Sequence, residues 1–485
     1  MIRVWSDDKR AGVLDRLGPK GSTFACDPVA ASERAVSVMM PVRVQSWDSK
    51  HSLLPIFEMN LPEGALRERL TRRFAKATGT FDDFDLLGIV GRSQIGRLRY
   101  SGLDQDLSES LPLQSIDEIL RARRDGGLFN YLLEQFAVHS GLSGVQPKVM
   151  IRAADTKLSD PEVRRSPSIQ SATHIVKMWD EDEYPELAAN EYFCLSVAKK
   201  LGMSVPEFQL SDDGGALVIS RFDLVNDQYI GFEDFCVLNA LGTSDKYKGG
   251  YETRVFRRMR EFLAPAEARK SLEDLFRLFV VNCAIRNGDA HLKNFGVTYH
   301  NVGGPIGMAP IYDLVTTSAY IPNDPMALTL DGSTSWPKRN GLIRLAQTRS
   351  DISPNKAAKI FEETADVMSS VAPKIREYFS SEVNEVGKRM LDAWETGIRD
   401  SLGLIRGLVV IKKAPSKLQP RVAKSDGILL EYLRKNGGSI SGTRKTISNT
   451  LGIPQSTLSG SIARLVDRQF VHRSSRKITL LLREV

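Results

Sequence analysis

The sequence lacks the features that mark membrane-bound, secreted and disulfide-bonded proteins. In its 485 residues no run approaches the roughly 18 consecutive apolar residues that a membrane span needs, and the N-terminal segment 1–7 has no apolar signal core. The four cysteines, Cys26, Cys194, Cys236 and Cys283, lie far apart and form no CxxC pair, which argues against a zinc ribbon or a disulfide framework. We therefore expect a cytoplasmic protein without a membrane partner, in which the cysteines are small buried hydrophobic residues.

The composition indicates neither disorder nor a repeat protein, but the charge is unevenly distributed. Hydrophobic residues make up 42% and charged residues 26% of the chain, which is ordinary for globular proteins. Residues 401–485 carry 16 Lys and Arg against 4 Asp and Glu. A net charge of +12 in this segment leaves −5 for the first 400 residues out of the total of +7. Such a basic tail predicts contact with a polyanion, most often nucleic acid; a solvated basic face is the alternative.

The length predicts about three domains, at roughly 150 residues for each. Strand-like and helical patterns alternate in a way that favours an α+β protein. We expect five segments: an α+β segment 1–135, short strands around one helix in 136–232, a mainly helical segment 233–410, a linker 411–425 and a small basic domain 426–485.

The sharpest local pattern is the segment 287–295, NGDAHLKNF. Apolar residues at helical spacing before it predict a buried helix, which Gly288 is expected to end in the left-handed conformation. Phosphoryl transfer needs a carboxylate near the attacking hydroxyl, and a D-x4-N spacing places an amide oxygen where it can hold a phosphate-bound metal ion. Asp289 and Asn294 have this spacing, which on its own is common by chance.

A predicted hairpin brings a second carboxylate to this loop. Strand-like residues 295–299 are followed by a turn at 301–304 and by a second strand-like run that ends at Asp313. The hairpin would return Asp313 to Asn294. Two carboxylates and an amide on adjacent loops form a hard oxygen site, which suits Mg2+ bound together with nucleotide phosphates.

A lysine and a glutamate upstream support the same chemistry. Lys177 lies in the apolar, strand-like run 173–178, and Glu191 falls within the apolar stripe of a predicted helix over 187–201. Because an unpaired buried charge costs several kcal/mol of desolvation, Lys177 is a natural counterion for Glu191, as in the Lys–Glu pair of kinases. The alternative is that Glu191 lies at the edge of the stripe and meets water.

Two weaker patterns lie where a nucleotide would bind. The run 141–148, GLSGVQPK, precedes a strand and could cover phosphates with its backbone N–H groups, although a glycine pair near proline is usually only a turn. The strand-like run 216–220 leads into residues 220–223, SRFD, which could offer backbone groups to an adenine. Together these features follow one another in the order found in kinases.

With these motifs the chain resembles the HipA family of toxin kinases. The similar segments are 143–148 (SGVQPK), 173–177 (THIVK), 190–191 (NE), 221–223 (RFD), 289–295 (DAHLKNF) and 312–313 (YD). Residues 60–64 (NLPEG) and 84–87 (FDLL) look like the family's N-terminal subdomain, so the resemblance spans roughly residues 1–400. It implies an atypical two-lobed kinase that uses ATP and Mg2+, with an N-terminal subdomain over 1–135, the N-lobe core over 136–232 and a helical C-lobe over 233–410.

The resemblance also implies roles for single residues. Asp289 would be the catalytic base with His291 and Lys293 beside it, and Asn294 and Asp313 would bind the metal. Nucleotide contacts are implied for Ser143, Gly144, Val145, Gln146, Lys148, Lys177, Glu191, Ser220 and Phe222.

A regulatory serine and a class of substrate are implied as well. In the family the phosphate loop carries an autophosphorylated serine that switches the kinase off. Gly141 stands at that position here, which leaves Ser143 and, as a second choice, Ser140 as acceptors. Known members act on aminoacyl-tRNA synthetases, so a protein substrate of this kind is expected.

The basic tail has the pattern of a winged helix-turn-helix domain over 426–485. Three predicted helices are followed by two strand-like runs, 470–473 and 477–481, which would form the wing. The third helix would start with Pro454 and read bases with Gln455, Ser456, Thr457 and Ser459. DNA phosphates would be bound by Arg444, Lys445, Arg464 and Arg473. Protein docking is the alternative use of such a domain, and the HipA resemblance does not extend to it.

We therefore predict a HipA-like toxin kinase that phosphorylates a protein and itself and regulates transcription through its winged helix. A separate antitoxin is a possible partner, and a palindromic operator would require a homodimer. Two other functions stay open. A small-molecule kinase of the aminoglycoside-phosphotransferase type has a G-D-x-H-x-x-N loop similar to residues 288–294, but the first hundred residues argue against it. A DNA-binding regulator with a nucleotide-sensing, kinase-like body is less favoured because every catalytic residue is retained.

Overall fold

The computed structural model of the chain separates into two compact units, Met1–Val409 and Val410–Val485. The residues that it describes are 1–78, 81–107, 111–122, 127–154, 172–179, 184–226, 228–381, 385–408, 424–467, 471–474 and 477–480. The predicted linker over 411–425 lies almost entirely outside them. Within these ranges no helix combines the length and the hydropathy that a membrane crossing requires.

The first unit begins with an N-terminal subdomain built on an antiparallel sheet. Its strands pair in the order β4-β3-β2-β1-β5: β1 (Ile2–Ser6), β2 (Lys9–Leu17), β3 (Gly21–Cys26), β4 (Trp47–Ser49) and β5 (Leu98–Gly102). Helices α1 (Pro55–Glu58), α2 (Gly64–Thr78) and α3 (Asp83–Val90) lie between β4 and β5. The start of α3 is fixed because the Asp82 side chain accepts hydrogen bonds from the N–H groups of Phe84 and Asp85.

A second sheet follows, with strands in the order β6-β7-β8-β10-β9. These are β6 (Leu113–Gln114), β7 (Lys148–Ala153), β8 (His174–Met178), β9 (Phe208–Leu210) and β10 (Ala216–Ser220). Its helices are α4 (Ile116–Arg121), α5 (Gly127–Phe136) and α6 (Leu187–Lys200). Val149, Val176 and Val218 of this sheet belong to the same hydrophobic core as Ile2 and Leu87. The N-terminal subdomain is therefore packed onto this lobe through a shared interior.

The rest of the first unit is mainly helical and has its own core. After the short hairpin of β11 (Leu224–Val225) and β12 (Gln228–Tyr229), a small sheet forms from β13 (Gly231–Asp234), β14 (Gly296–Tyr299) and β15 (Ile306–Met308). The helices are α7 (Phe235–Leu238), α8 (Arg257–Phe262), α9 (Pro265–Ile285), α10 (Arg339–Arg349), α11 (Pro354–Tyr378) and α12 (Val386–Gly397). Central to them is α9, which approaches α12 so closely that a Cβ at Gly397 would overlap the Ala284 carbonyl.

The second unit is a small domain of three helices and a three-stranded antiparallel sheet. Its elements are α13 (Lys424–Lys435), β16 (Ser439–Ser441), α14 (Arg444–Leu451), α15 (Gln455–Asp467), β17 (Val471–Ser474) and β18 (Lys477–Leu480), with the strands in the order β16-β18-β17. Leu429, Leu433, Leu458 and Ile462 form the centre of its core. The ends of the predicted wing strands, Phe470 and Leu481, lie outside the described residues.

A buried carboxylate in β13 ties the N-terminal subdomain to the helical lobe. Glu233 is fully buried and accepts hydrogen bonds from Ser37 Oγ (2.6 Å), Val38 N (2.8 Å) and Tyr299 Oη (2.5 Å). Two of these donors come from the subdomain and one from β14. Each of the three would be left without an acceptor if the carboxylate were removed.

We predict that Glu233→Ala destabilises the first unit by at least about 3 kcal/mol, because each of the three buried donors left without a partner costs about 1–3 kcal/mol. The measurement is the urea denaturation midpoint of the full chain, followed by intrinsic fluorescence. As a matched control, Glu134→Ala removes a carboxylate that is 66% exposed and pairs only with Arg69 in the described residues, and it should leave the midpoint unchanged. Equal midpoints for the two variants would contradict the prediction.

Candidate active site

The loop that carries Asp289 begins where α9 ends. The helix ends with Arg286 in the left-handed conformation (φ 59°), so the prediction that Gly288 ends it was wrong. The chain leaves the helix two residues earlier than the glycine pattern indicated. Gly288 is needed for a different reason, because a Cβ there would overlap the Asp324 carboxylate. Beyond it, the N–H of Asp289 donates to Asn287 Oδ1 (3.2 Å), which fixes the turn that presents Asp289.

The Asp289 carboxylate lines a cleft, and a tyrosine donates a hydrogen bond to it. Tyr247 Oη donates a hydrogen bond of 2.7 Å to Asp289 Oδ1. Burial by the surrounding walls raises the pKa of Asp289, and the Tyr247 hydrogen bond and the Lys246 charge offset this only in part. A carboxylate with a raised pKa is a better proton acceptor, so the environment favours Asp289 as a general base.

His291 and Lys293, predicted beside the base, have different surroundings. Burial, followed by the charge of Lys246, lowers the pKa of His291 to about 3, so its imidazole is neutral at pH 7. Lys293 Nζ is buried and donates to the Met59 carbonyl (2.7 Å) and to Asp234 Oδ2 (3.0 Å). These bonds fasten the Asp289 loop to the N-terminal subdomain and to β13.

Lys177, Glu191 and Asp313 form a buried ion cluster. Lys177 projects from β8, and its Nζ donates to Glu191 Oε1 of α6 (2.6 Å) and to Asp313 Oδ1. The Glu191 side chain has no exposed surface, which excludes the alternative that it meets water at the edge of the helix. Although burial opposes ionisation, the Lys177 ammonium holds the pKa of Asp313 well below its usual range.

Asn294 and Asp313 lie close together, as the predicted hairpin implied, but the segment that brings Asp313 back differs from the prediction. The second hairpin strand ends at Met308 and not at Asp313, and an irregular segment carries the chain on to Asp313, which has a left-handed backbone (φ 50°). Asn294 Nδ2 donates to the Asp313 carbonyl at 3.5 Å. Asn294 Oδ1 is buried and has no hydrogen-bond partner among the described residues. A buried amide oxygen without a partner beside a carboxylate fits a Mg2+ ligand pair.

The loop over 141–148 lies against the same cleft. Gly144 has φ 110°, a backbone conformation that favours glycine. Lys148 Nζ donates to the Ser143 carbonyl (3.0 Å), and Gln146 donates to the Met178 carbonyl (3.1 Å). Burial lowers the pKa of Lys148, and Val145 is 66% exposed at the loop's tip.

The two candidate phosphoacceptor serines differ in their surroundings. Ser140 is fully buried; its hydroxyl donates to the Phe136 carbonyl (2.7 Å) and accepts from Met150 N (2.8 Å). Phosphorylation of Ser140 would require this part of the core to open, which speaks against it. Ser143 is half-buried and lines the cleft.

Glu63 is a site residue that the motif argument did not single out. Its Oε1 accepts from Ser143 Oγ and from Gly144 N (3.1 Å), and its Oε2 accepts from Lys246 Nζ (3.0 Å). Burial opposes its ionisation, yet these donors lower the pKa of Glu63 to about 2. The N-terminal subdomain therefore holds the loop directly. The only sequence signal for Glu63 was its place in the NLPEG segment of the family resemblance.

These elements enclose one cleft of about 960 Å³. Phe222 stacks on Tyr312 at a centroid distance of 5.7 Å, and Ser220 Oγ lies 3.2 Å from His174 Nε2. The predicted site residues that line the cleft are Ser143, Gly144, Val145, Gln146, Lys148, Lys177, Ser220, Phe222, Asp289, His291, Lys293, Asn294 and Asp313. Glu191 lies behind Lys177, and Ser140 lies in the core.

In the second unit the predicted DNA contacts are mostly exposed. Arg444, Lys445, Gln455, Thr457 and Arg473 have exposed side chains. The Ser459 hydroxyl donates to the Gln455 carbonyl of its own helix (2.9 Å), so it is engaged within α15. The side chains of Ser456 and Arg464 lie outside the described part of the structure.

Two family descriptions match this chain over most of the first unit. Residues 2–101 match the HipA N-terminal domain, and residues 140–372 match the HipA-like C-terminal domain. The chain is HipA-like over both domains. The family resemblance proposed from the motifs is thereby confirmed for this part of the chain.

Relatives of this HipA-like chain carry kinase names. Over 406 residues it is 29% identical to "Putative kinase Y4mE" of Sinorhizobium fredii. The aligned region covers 76% of this chain and 93% of that protein. The chain is 26% identical over 291 residues to the serine/threonine-protein kinase toxin HipA of Shewanella oneidensis, covering 55% of this chain and 64% of that one.

A solved structure shows that the fold is also HipA-like. The neighbour is the toxin–antitoxin complex of HipA, HipB and operator DNA from Shewanella oneidensis MR-1, with a TM-score of 0.56 and 18% identity over 83% of this chain and 98% of that one. At this identity the likeness concerns the fold alone, and it confirms the mixed α+β architecture.

We predict that Glu63→Gln loosens the loop over 142–146, because the neutral amide gives Ser143, Gly144 and Lys246 a weaker acceptor. Hydrogen–deuterium exchange of peptides covering 142–146 should become faster. The matched control is Glu68→Gln on α2, the helix that begins directly after Glu63, since Glu68 is exposed and pairs with Arg72. If both variants exchange like the wild type, Glu63 does not hold the loop.

Proposed function

We propose that this chain is an ATP- and Mg2+-dependent serine/threonine protein kinase of the HipA type. The observation that carries the proposal is the buried contact of Lys177 with both Glu191 and Asp313, in the same cleft as Asp289 and Asn294. A Lys–Glu pair next to a metal-binding aspartate is what phosphate binding requires in kinases. The kinase names of the relatives support the same activity.

Each residue then has a physical task. Asp289 accepts the proton of the acceptor hydroxyl while that oxygen bonds to the γ-phosphorus and the bond to the bridging oxygen of ADP breaks. Lys177, Lys148 and the loop around Gly144 supply positive charge and N–H groups for the phosphates. Asn294 and Asp313 would hold Mg2+, which neutralises phosphate charge when bound.

The adenine would lie at the other end of the cleft. The strand end at Ser220 and the Phe222 ring line the cleft on the side of β10. Strand-end backbone groups and an aromatic face are suitable partners for a planar base.

We predict that Asp289→Asn abolishes transfer of labelled phosphate from ATP to the protein itself and to soluble cell extract, and that removal of Mg2+ does the same to the wild type. The asparagine keeps the shape of the side chain but cannot accept the proton, and loss of a general base lowers rates by about 10²–10⁴-fold. The measurement is autoradiography of full-length protein and extract.

Wild-type protein that binds nucleotide but labels nothing would contradict the kinase proposal and favour a DNA-bound nucleotide sensor. Peptide mapping of labelled wild type tests self-phosphorylation at Ser143, since a labelled loop peptide without phosphate on Ser143 removes that part of the proposal. The labelled extract band identifies the protein substrate. An aminoacyl-tRNA synthetase is the substrate class that the family resemblance proposes.

For the second unit we propose a winged helix-turn-helix that binds DNA. Its order of elements, with α14 and α15 joined at Gly452 in a left-handed turn and a β17–β18 hairpin after them, is that of such a domain. Its exposed cations, including Arg444, Lys445 and Arg473, fit phosphate contacts. Autoregulation of transcription as a dimer, with or without a separate antitoxin, is the role we assign to it.

We predict that Arg444→Ala/Lys445→Ala weakens binding of the full chain to mixed-sequence duplex DNA and makes the slope of log K against log [salt] less negative by about 2, since each lost phosphate contact contributes about 0.9. Fluorescence anisotropy from low to moderate salt measures the slope. A matched control, Arg72→Ala/Lys359→Ala, removes two exposed cations from the first unit and should leave the slope unchanged. Identical slopes for all three proteins would remove the DNA-binding proposal for these residues.

A further inference from the structure

The Tyr247 hydroxyl lies at the place beside Asp289 where the hydroxyl of a substrate would have to lie. Its hydroxyl lies 2.7 Å from Asp289 Oδ1 and donates a hydrogen bond to it. A general base has to approach the hydroxyl that it deprotonates to about 2.6–3.2 Å. The tyrosine therefore makes with Asp289 the contact that an acceptor hydroxyl needs in order to react.

We propose that the Tyr247 hydroxyl occupies the acceptor position of this kinase, so that an acceptor reacts only after Tyr247 has swung away from Asp289. The inference rests on the proposed kinase function and adds a residue to its acceptor site. Tyr247 then acts as an internal competitor of the substrate.

The segment around Tyr247 is held at its backbone, while the Tyr247 side chain is half-exposed. The neighbouring Lys246 carbonyl accepts from Leu292 N (3.0 Å), and Lys246 Nζ donates to Glu63 Oε2 (3.0 Å). The Tyr247 side chain is 51% exposed and rests edge-on against His291 at a centroid distance of 5.1 Å. In this proposal Asp289 is uncovered by a rotation of the Tyr247 side chain that breaks its hydrogen bond to Asp289 and keeps the backbone contact of Lys246.

The tyrosine has the chemistry of a competitor and not of a second base. Burial, and then the hydrogen bond to Asp289, raise the pKa of Tyr247, so its hydroxyl keeps its proton at physiological pH. It donates to the same carboxylate that an acceptor hydroxyl would use. A carboxylate can accept several hydrogen bonds, so the competition is for the space in front of Asp289 Oδ1, which the Tyr247 hydroxyl fills at 2.7 Å.

Hydrolysis of ATP tests this without knowledge of the protein substrate, because water is then the acceptor. Asp289 takes a proton from water as the water oxygen bonds to the γ-phosphorus and ADP leaves. Tyr247→Phe keeps the ring against His291 but loses the hydroxyl that bonds Asp289. We expect the full-length variant to hydrolyse MgATP about three- to tenfold faster, the factor that corresponds to one net hydrogen bond, with an unchanged KM for ATP.

Two further variants serve as controls. Tyr131→Phe removes a hydroxyl from a tyrosine of similar exposure (47%) on α5, which does not line the cleft, and it should hydrolyse ATP at the wild-type rate. The double variant Tyr247→Phe/Asp289→Asn should lose the gain, because water then has no base.

A hydrolysis rate of Tyr247→Phe that is equal to that of the wild type would overturn the inference. A lower rate would also overturn it and would instead make Tyr247 a residue that positions Asp289. A gain that persists in the double variant would overturn it as well. These results leave the kinase proposal in place if the wild type still labels protein. If the wild type transfers phosphate neither to protein nor to water, both the kinase proposal and the inference about Tyr247 are wrong.

Discussion

The burial of Glu191 is the constraint on which the site depends. A carboxylate with no exposed surface inside a helix stripe needs a cation, and Lys177 on the adjacent strand supplies it at 2.6 Å. The same ammonium contacts Asp313, so one lysine fixes α6, β8 and the segment after the β14–β15 hairpin relative to one another. Apolar side chains in place of Lys177, Glu191 and Asp313 could stabilise the fold equally well. The retention of these charges therefore agrees with a use in phosphate binding.

The N-terminal subdomain is part of the site and not an attachment to it. Through Glu63 it holds the loop over 141–148, and through the Met59 carbonyl it holds Lys293 of the Asp289 loop. Glu233 adds a buried link from the opposite direction. Because these contacts reach the loop and the Asp289 segment at once, a shift of the subdomain would move both of these parts of the cleft. This coupling gives a physical reason for the two HipA-like domains to occur in one chain.

How far the sequence could predict this arrangement depends on the range of the interactions. Glu191 was predictable because helical periodicity is local, and the nearby Lys177 completes the pair. The contacts of Glu63 and Tyr247 were not predictable in this way. Their partners Gly144 and Asp289 lie 81 and 42 residues away in sequence and come close only through tertiary packing. Gly288 was misjudged because a glycine after a helix indicates a cap, whereas its role depends on the distant Asp324. Local patterns thus predicted many of the side chains that line the cleft but not the contacts that position or cover them.

The central claim is that Asp313 and Asn294 bind metal together with nucleotide beside Lys177. Isothermal titration of ATP into the full-length protein, with and without Mg2+, tests it most directly, with Asp313→Asn compared to the wild type. The account predicts that Mg2+ strengthens ATP binding by the wild type and that Asp313→Asn loses most of this gain while still binding ATP. Equal affinities with and without Mg2+ in the wild type, or an undiminished Mg2+ effect in Asp313→Asn, would contradict it.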